Sequence, residues 1–428
     1  MRQEKQTVLI KNATVVDNHS PHHLKKSDIL IEKGIIVDIG KNLKESFGSE
    51  VIKEDGLHAS IGWMDMHVNV QDPGFEYKET IESSLNAAAA GGFTEVLSCS
   101  TTTPVVDSKS GIEYQLMKSR GHACQLHVSG ALSQKSEGLE LAEMFDMHNA
   151  GAKAFYDFKS NVTNSQLLKL SLLYAKPFDG LVMCLPDEIY LSENGVIHEG
   201  EISTLNGLQG IPNIAEEIGA QRALKILEYS AHRLHFTSLS TPGAIDLVKK
   251  AKQKGLNITT GVNVANLFFT DKSLVNFDSN LKLLPPLREE KVRKNLIKSL
   301  ISGDIDVVIS DHWPQNIESK DCEFELAEFG MISLETTYVM LNTALNGAMD
   351  QSGMIELLAE KPRRILRIPI PKIEVGQNAN ITLYQPNKMW KYELSKSFSV
   401  SRNSPLNGYE FKGKVLGIVN NGTYFLTK

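Results

Sequence analysis

The sequence predicts an α/β protein in which a (β/α)₈ barrel carries a small β-sandwich formed by both ends of the chain. Three observations support this fold class. Short apolar segments of strand length alternate with helix-length segments through the middle of the chain, and both ends contain strand-like segments separated by turns. The 428 residues are enough for one barrel of about 250 residues and a smaller companion domain.

The two ends of the chain have the period-two alternation of strands. VLIKNATVV (8–16) and DILIEKGIIVDIG (28–40) are separated by the polar stretch SPHHLKKS (20–27), which predicts a turn. Three further strand-like segments with Gly-Gln-Asn and Asn-Asn-Gly turn signals are GQNANITLYQP (376–386), SFSVSRNSP (397–405) and GKVLGIVNNGTYFLTK (413–428). We expect both ends to share one sheet, so that residues 1–56 and 366–428 form the sandwich.

The barrel is expected between residues 57 and 365. Strands that alternate with helices in a long series favour a closed parallel barrel over an open sheet. The predicted strand segments are TEVLSCS (94–100), QLHVSGA (125–131), GAKAFYD (151–157), GLVMCL (180–185), RLHFTSLS (233–240), NITTGVNV (257–264) and DVVISDH (306–312).

Composition excludes several classes of protein. Lysine and arginine number 45 against 51 acidic residues, a formal charge of −6, so we predict neither nucleic-acid nor membrane partners. The start of the chain lacks a signal-peptide pattern and no run of eighteen apolar residues occurs, which predicts a cytoplasmic protein. Cys99, Cys124, Cys184 and Cys322 lack a CxxC spacing, so they are predicted to be buried, unpaired side chains.

Functional side chains of such a barrel are expected at the carboxyl ends of its strands. In GWMDMHVNVQDPG (62–74), His67 and Asn69 are alternate residues and would face the same side of an extended strand. Two ligands of one metal ion need this arrangement. The spacing is therefore that of a His-x-His metal pair, although asparagine is the second member.

This segment resembles the signature Asp-x-His-x-His-x-Arg-Asp-Pro-Gly of dihydroorotases of class I, the type found in multifunctional complexes, within the amidohydrolase superfamily. Segments that agree with the family in order and spacing are KETIESSLNAAAAGGFTEVL (78–97), TTTPVVD (101–107), LLPPLR (283–288), SDHWP (310–314) and FELAEFGMISLET (324–336). The resemblance extends over essentially the whole chain. It implies a barrel, a composite sandwich, and a zinc centre that interconverts carbamoyl-aspartate and dihydroorotate, because zinc depresses the pKa of bound water toward seven.

The resemblance leaves few metal-ligand positions intact. His67 matches the first histidine of the pair, and Asp311 matches the terminal aspartate, which is the general-base position. The bridging carboxylate falls at Asp157 or at Phe158. Non-ligating residues stand at three expected histidines: Asn69, Leu185 and Ser238. A catalytic zinc keeps three protein ligands and an open position, so we predict a degenerate site that binds no metal and in which Asp311 does not act as a base.

The substrate-binding positions implied by the resemblance also differ. An expected arginine, an asparagine, a histidine pair and a histidine are replaced by Gln71, Thr101, Ala265 with Asn266, and Gln315 respectively, whereas Arg288 is retained. An anionic substrate would meet few cations at such a site.

We therefore predict a non-catalytic, dihydroorotase-like protein of pyrimidine biosynthesis with a structural or assembly role and no cofactor. Homologues that lack metal ligands pair with aspartate transcarbamoylase, so the resemblance implies that partner, and it also implies a homodimer. The alternative is an active zinc-dependent dihydroorotase or other cyclic amidohydrolase with an unusual mononuclear site at His67, Asp157 and Asp311. A third hypothesis is a small-molecule sensor that uses the emptied pocket.

Overall fold

The computed structural model describes residues 7–45, 47–159 and 163–427. Residues 1–6 and Lys428, at the ends of the two predicted sandwich segments, lie outside this range. The strands are β1 Val8–Val16, β2 Lys26–Glu32, β3 Ile35–Gly40, β4 Glu50–Lys53, β5 His58–Ile61, β6 Trp63–Val68, β7 Phe93–Ser98, β8 Gln125–Gly130, β9 Ala154–Phe155, β10 Leu181–Cys184, β11 Ile197–His198, β12 Gly210–Ile211, β13 Arg233–Phe236, β14 Asn257–Asn263, β15 Val307–Ile309, β16 Ile381–Lys391, β17 Glu410–Asn420 and β18 Thr423–Leu426.

The helices lie mainly between the barrel strands. They are α1 Ile81–Ala90, α2 Lys109–Lys118, α3 Met144–Ala150, α4 Ser165–Ala175, α5 Ile189–Ser192, α6 Glu201–Asn206, α7 Asn213–Ser230, α8 Pro242–Gln253, α9 Val264–Phe268, α10 Glu290–Ile301, α11 Thr337–Leu345, α12 Gln351–Ile355 and α13 Lys361–Leu366. None of the helices in the described part of the chain has the length and apolar character needed to cross a bilayer.

Both chain ends contribute to one eight-stranded sheet, as the sequence predicts. Its order is β18-β17-β16-β5-β1-β2-β3, and β4 also pairs with β1. Strand β5 lies beyond the predicted segment boundary at residue 56, and it joins the two ends because it pairs with β1 on one side and β16 on the other. Asn421 and Gly422 have φ values of 54° and 74° and form the turn between β17 and β18, where an Asn-Gly pair is favoured.

The predicted strand SFSVSRNSP is wrong, because residues 397–405 form a loop. Its polar groups bind the carboxylates of Glu335 and of the buried Glu79 instead of a neighbouring strand. The N–H of Phe398 donates to Glu335 over 2.9 Å, and the N–H of Val400 donates to Glu79 over 3.0 Å. The hydroxyl of Ser399 also donates to Glu79. This loop therefore connects the carboxyl-terminal segment to the barrel.

Eight parallel strands form the barrel, in the order β15-β14-β13-β10-β9-β8-β7-β6, which confirms the predicted fold class. The first and last strands meet through a bridge between Val68 and His312, where the N–H of Asn69 donates to the carbonyl of His312 over 3.0 Å. The strand-to-helix alternation of the sequence thus corresponds to a closed parallel barrel.

Local sequence sets the limits of the first barrel helix. Thr80 caps α1 by accepting a hydrogen bond from the N–H of Ser83, and the Ser83 hydroxyl accepts one from the N–H of Thr80. At the other end, a Cβ on Gly91 would lie 2.2 Å from the carbonyl oxygen of Leu334. Glycine is therefore required where α1 turns into β7.

The barrel interior is filled by its own apolar cluster. The buried members are Met64, Met66, Leu97, Cys99, Ala154, Tyr156, Phe158, Leu181, Met183, Val307, Ile309 and Leu366. Leu366 comes from α13, which lies at the amino ends of the strands, whereas Phe158 follows β9 at the carboxyl end. The interior is thus packed from one end to the other, as in other barrels of this kind.

All four cysteines are unpaired, as predicted, but they differ in burial. Cys99, Cys124 and Cys184 are buried, whereas Cys322 is exposed in a loop. The predicted burial of Cys322 is therefore wrong.

Candidate functional site

The carboxyl end of the barrel brings His67 and Asp311 together. His67 Nδ1 lies 3.0 Å from Asp311 Oδ1, and both side chains are buried. Asp65 holds the two strand ends in place, since it accepts hydrogen bonds from the N–H groups of His67 and Ser310, each over 2.9 Å. Burial raises the pKa of Asp65 to about 6, although these hydrogen bonds oppose the shift.

The second oxygen of Asp311 is bound by a lysine. Lys159 Nζ lies 2.7 Å from Asp311 Oδ2, and Asn263 Nδ2 donates to the same oxygen over 2.8 Å. The Lys159 ammonium also donates to the carbonyl of Leu284. Burial raises the pKa of Asp311, but pairing with Lys159 and His67 outweighs it and keeps that pKa below its ordinary value. The carboxylate is therefore ionised and its charge is matched within the protein.

An aromatic ring covers the imidazole of His67. The Phe158 ring stacks on His67 with a centroid separation of 5.5 Å and an interplanar angle of 19°. Trp313 packs edge-on against Phe158 at 4.7 Å, and the Lys159 ammonium lies 4.9 Å from the Trp313 ring centre. These separations allow aromatic and cation–π attraction. Two rings and an ammonium group thus surround the pair formed by His67 and Asp311.

Asp157 points away from this group. Its carboxylate accepts hydrogen bonds from the N–H groups of Leu132 and Ser133 over 2.7 and 2.9 Å, and from the Ser133 hydroxyl over 2.5 Å. Burial raises the pKa of Asp157 against these hydrogen bonds. Of the two residues considered for the bridging position, Phe158 contacts His67, whereas Asp157 anchors the loop after β8.

The three positions at which a metal ligand is predicted to be lost are buried. Asn69 donates from Nδ2 to the carbonyl of His312 over 3.0 Å, and its Oδ1 accepts from the Thr101 hydroxyl over 2.8 Å. Leu185 is an apolar side chain, and the buried Ser238 hydroxyl has no hydrogen-bond partner among the described residues. Both ends of the Asn69 amide are therefore hydrogen-bonded, one to Thr101 and the other to the strand junction that closes the barrel.

The retained arginine is part of the framework. Arg288 is buried and donates to the hydroxyl of Ser240 over 3.1 Å, to His198 Nδ1 over 3.0 Å and to the carbonyl of Ile211 over 3.0 Å. Burial lowers the pKa of Arg288, and the nearby Glu216 raises it. Its donors are committed to neighbouring loops, so it holds those loops together.

The other substrate-position residues also make internal contacts. Gln315 Oε1 accepts from Lys78 Nζ over 2.8 Å, and Asn266 Nδ2 donates to the carbonyl of Pro286 over 2.8 Å. Gln71 is buried with a left-handed backbone, φ 58°. Gln315 and one end of Asn266 are therefore engaged within the protein, whereas Asn266 Oδ1 has no hydrogen-bond partner among the described residues.

A zinc ion does not fit the donors present. Within residues 7–45, 47–159 and 163–427, no group of three histidine, cysteine, aspartate or glutamate side chains is placed to hold a metal ion. His67 and Asp311 provide two donors, and the nearest additional polar group on Asp311 is the ammonium of Lys159. A cation in that place repels a second cation and donates no lone pair.

Sequence reasoning missed Lys159, Asn263 and Trp313. Lys159 follows the predicted strand GAKAFYD by two residues, so its position at a strand end was a usable signal. A charged residue at that place in a barrel is expected to be functional or paired. Its pairing with Asp311, 152 residues further along the chain, was not predictable from spacing.

Comparison with known proteins identifies the relatives of this chain. A family model described as Dihydro-orotase-like matches residues 59–242. A dihydroorotase of Acetivibrio thermocellus is 34% identical over 418 residues, covering 97% of this chain and 98% of the relative. A dihydroorotase of Carboxydothermus hydrogenoformans is 37% identical over 409 residues, covering 95% of each.

The similar solved structures have the same fold. An L-hydantoinase (dihydropyrimidinase) from Arthrobacter aurescens superimposes with a TM-score of 0.84 at 21% identity, covering 98% of this chain and 96% of that one. A dihydropyrimidinase from Brevibacillus agri gives 0.82 at 22% identity, covering 98% and 95%. The dihydroorotase relatives match nearly the full length at more than 30% identity, so the chain belongs to the dihydroorotase-like family.

Proposed function

We propose that this chain is a non-catalytic dihydroorotase-like protein of pyrimidine biosynthesis, with a structural or assembly role alongside aspartate transcarbamoylase. The observation that supports it most is the ion pair of Lys159 with Asp311 beneath the rings of Phe158 and Trp313. A relative that hydrolyses a cyclic amide by metal-activated water needs an open coordination position. Here the corresponding space holds an ammonium group and an aromatic ring.

The Lys159 ammonium also gives a reason for the stability of the altered site. A buried carboxylate without a cation is strongly destabilising, so a chain that loses its metal must neutralise Asp311 in another way. Lys159 supplies one positive charge, and Asn263 satisfies the same oxygen. In this proposal Lys159 replaces the structural part of the metal's role and none of its chemistry.

Metal content and activity measured on one sample test the non-catalytic assignment. Protein purified without added zinc is analysed for metal and assayed for dihydroorotate hydrolysis, with the Acetivibrio thermocellus dihydroorotase as positive control. We expect far less than one zinc per chain and no turnover. Near-stoichiometric zinc together with turnover would overturn the proposal and favour the mononuclear alternative, since His67 and Asp311 remain in contact.

The proposed partner rests on the resemblance to homologues that lack metal ligands and pair with aspartate transcarbamoylase. The test mixes the purified chain with aspartate transcarbamoylase of the same organism and measures the mass of the complex by size-exclusion chromatography with light scattering. We expect a stable complex, and a homodimer for the chain alone. Independent elution of the two proteins at micromolar concentration would reject the assembly role.

A further inference from the structure

A cavity of about 370 Å³ lies at the amino ends of the barrel strands, opposite the site described above. The strands β10, β13 and β14 contribute their first residues to it, and α13 forms the other wall. Arg233 and Asn257 also line a second cavity of about 470 Å³. The volume of the first cavity lies within the range of about 300–1,000 Å³ that is typical of small-molecule sites.

Arg233 is the unusual residue of this cavity. It is only 7% exposed, yet its buried Nε has no hydrogen-bond partner among the described residues. Its nearest carboxylate oxygen is Asp179 Oδ1, at 3.9 Å. Burial lowers the pKa of Arg233. A buried guanidinium normally has close anionic or carbonyl partners, whereas the carboxylate of Asp179 lies at the long limit of an ion pair with Arg233.

A neighbouring arginine shows what full pairing looks like in the same part of the fold. Arg363 is completely buried and lies 2.8 Å from Glu95 Oε1. It also donates to the carbonyl oxygens of Gly62 and Ala359 over 2.6 and 2.9 Å. Arg363 thus has close acidic and carbonyl partners, whereas the carboxylate beside Arg233 is more than 1 Å further away.

Three further cations line the cavity, and each has an acidic partner that does not itself line it. Lys361 lies 3.8 Å from Glu356, and Arg364 lies 2.6 Å from Glu360. The third cation, Arg367, pairs with Asp179, the same carboxylate that is distant from Arg233. Guanidinium groups keep further donors when one edge is paired. Four cations therefore surround the space.

The cavity contains one acidic side chain, Asp306, and its charge is already matched. Asp306 lies 2.7 Å from Lys252 and accepts a hydrogen bond from the N–H of Thr260 over 2.7 Å. Among the lining residues, four cations therefore face one carboxylate that is already paired. Such a lining favours an anion.

The remaining wall is neutral. Leu181, Leu234 and Ile365 provide apolar surface, and Asn257 and Thr259 provide neutral polar groups. A free inorganic ion would leave this wall unused, whereas an organic group attached to an anion would cover it.

We propose that this cavity binds a small phosphorylated metabolite, whose phosphoryl group meets Arg233 and Arg364 while its organic part lies against Leu181, Leu234 and Ile365. Arginine suits this role because its planar fork of donors matches phosphate oxygens in pairs. The assignment does not depend on the function proposed above, since the cavity lies at the opposite end of the barrel.

Isothermal titration calorimetry in a phosphate-free buffer tests this assignment. The probes are ribose 5-phosphate, as a small organic phosphate, and inorganic phosphate. We expect one binding site per chain, and binding of ribose 5-phosphate at least about tenfold tighter than that of inorganic phosphate, because only the former uses the neutral wall. No heat of binding from either probe with a Kd below about 1 mM would overturn the proposal.

Substitution of the two lining arginines tests whether the phosphorylated ligand binds in this cavity. Arg233→Gln and Arg364→Gln should each weaken ribose 5-phosphate binding about tenfold or more, since each removes a charged hydrogen bond. Arg364 is half exposed, so its variant is expected to fold normally even if Arg233→Gln does not. The matched control is Arg120→Gln, an exposed arginine outside the cavity. The assignment would be contradicted if the control weakened ribose 5-phosphate binding as much as the cavity variants do, or if neither cavity variant weakened it. Inorganic phosphate that binds as tightly as ribose 5-phosphate would also contradict it.

Discussion

A buried cation lies close to a carboxylate at one end of the barrel and further from one at the other end. At the carboxyl end, Lys159 is 2.7 Å from Asp311 and close to the Trp313 ring. At the amino end, Arg233 is equally buried but lies 3.9 Å from the carboxylate of Asp179 and leaves its Nε unpaired. Close pairing occupies Lys159 in the first site, whereas the looser pairing of Arg233 leaves it able to meet the anion that we propose for the second. A buried cationic side chain can therefore occupy the space at the carboxyl end of the barrel and offer an anion-binding group at the amino end.

The largest expected effect on the free energy of unfolding is at the carboxyl end of the barrel, where Lys159 pairs with Asp311. Lys159→Met leaves the buried carboxylate of Asp311 without its cation, so the free energy of unfolding should fall by about 3–5 kcal/mol. Urea denaturation measures this loss. Lys388→Met, at an exposed position of β16, is the matched control and should change stability by less than about 0.5 kcal/mol.

A double variant separates charge from packing at the same place. Lys159→Met combined with Asp311→Asn should be more stable than Lys159→Met alone, because the uncompensated charge is removed. A loss for Lys159→Met no larger than that of the Lys388→Met control would show that the ion pair does not hold this end closed.

The next effect concerns His235, which lies on β13 between the two ends. Burial, together with the nearby positive groups of His67, Lys252 and Arg233, lowers the pKa of His235 to about 3. The unfolded chain binds the proton below about pH 6.5, whereas the folded protein does not until about pH 3. The contribution of His235 to the free energy of unfolding should therefore be fully present above pH 6.5. It should decrease on acidification by up to about 1.4 kcal/mol per pH unit.

Denaturation curves between pH 7 and pH 4 measure the contribution of His235. The slope of stability against pH should be shallower in His235→Gln than in the parent protein, whereas His22→Gln, at a partly exposed position, should leave the slope unchanged. An unaltered slope in His235→Gln would mean that burial and the nearby cations do not keep this imidazole neutral.

A smaller effect is expected from the neutral polar contacts at the closed end. The Tyr156 hydroxyl lies 3.2 Å from Thr237 Oγ1 and 3.4 Å from His67 Nε2. Tyr156→Phe should lower the free energy of unfolding by about 0.5–1.5 kcal/mol, because the hydrogen bonds of a single hydroxyl group are lost. Tyr229→Phe, at an exposed position on α7, is the control. A loss as large as that of Lys159→Met would argue that hydrogen bonding, not charge, organises this end.

The smallest effect on the free energy of unfolding is expected at the amino end of the barrel, where Arg233 lines the cavity. In phosphate-free buffer, Arg233→Gln should change the free energy of unfolding by less than about 1 kcal/mol, since no hydrogen bond of its Nε is lost. Arg363→Gln breaks a paired arginine nearby and should cost about 3–5 kcal/mol. Equal losses in the two variants, measured by urea denaturation, would remove the contrast between paired and unpaired arginines.

Local patterns were enough to predict the fold class and part of the candidate site. The apolar segments from TEVLSCS to DVVISDH became barrel strands, because a short apolar run between turns and helices has few other stable placements. The sequence also located His67 and Asp311 at one end of the barrel. It failed for SFSVSRNSP, whose alternation resembles a strand, because the carboxylates of Glu79 and Glu335 offered stronger partners than a sheet edge.

Residue identity alone was therefore enough to predict the barrel and the shared terminal sheet, since periodicity and motif spacing are local properties, whereas the loss of ligands at Asn69, Leu185 and Ser238 stays a prediction. Only the tertiary structure decided that Phe158, not Asp157, covers His67, and that Lys159 pairs closely with Asp311 whereas Arg233 has only a distant carboxylate. The reason is that charge pairing depends on distances of a few ångströms between residues far apart in the chain, and those distances exist only once the barrel has closed.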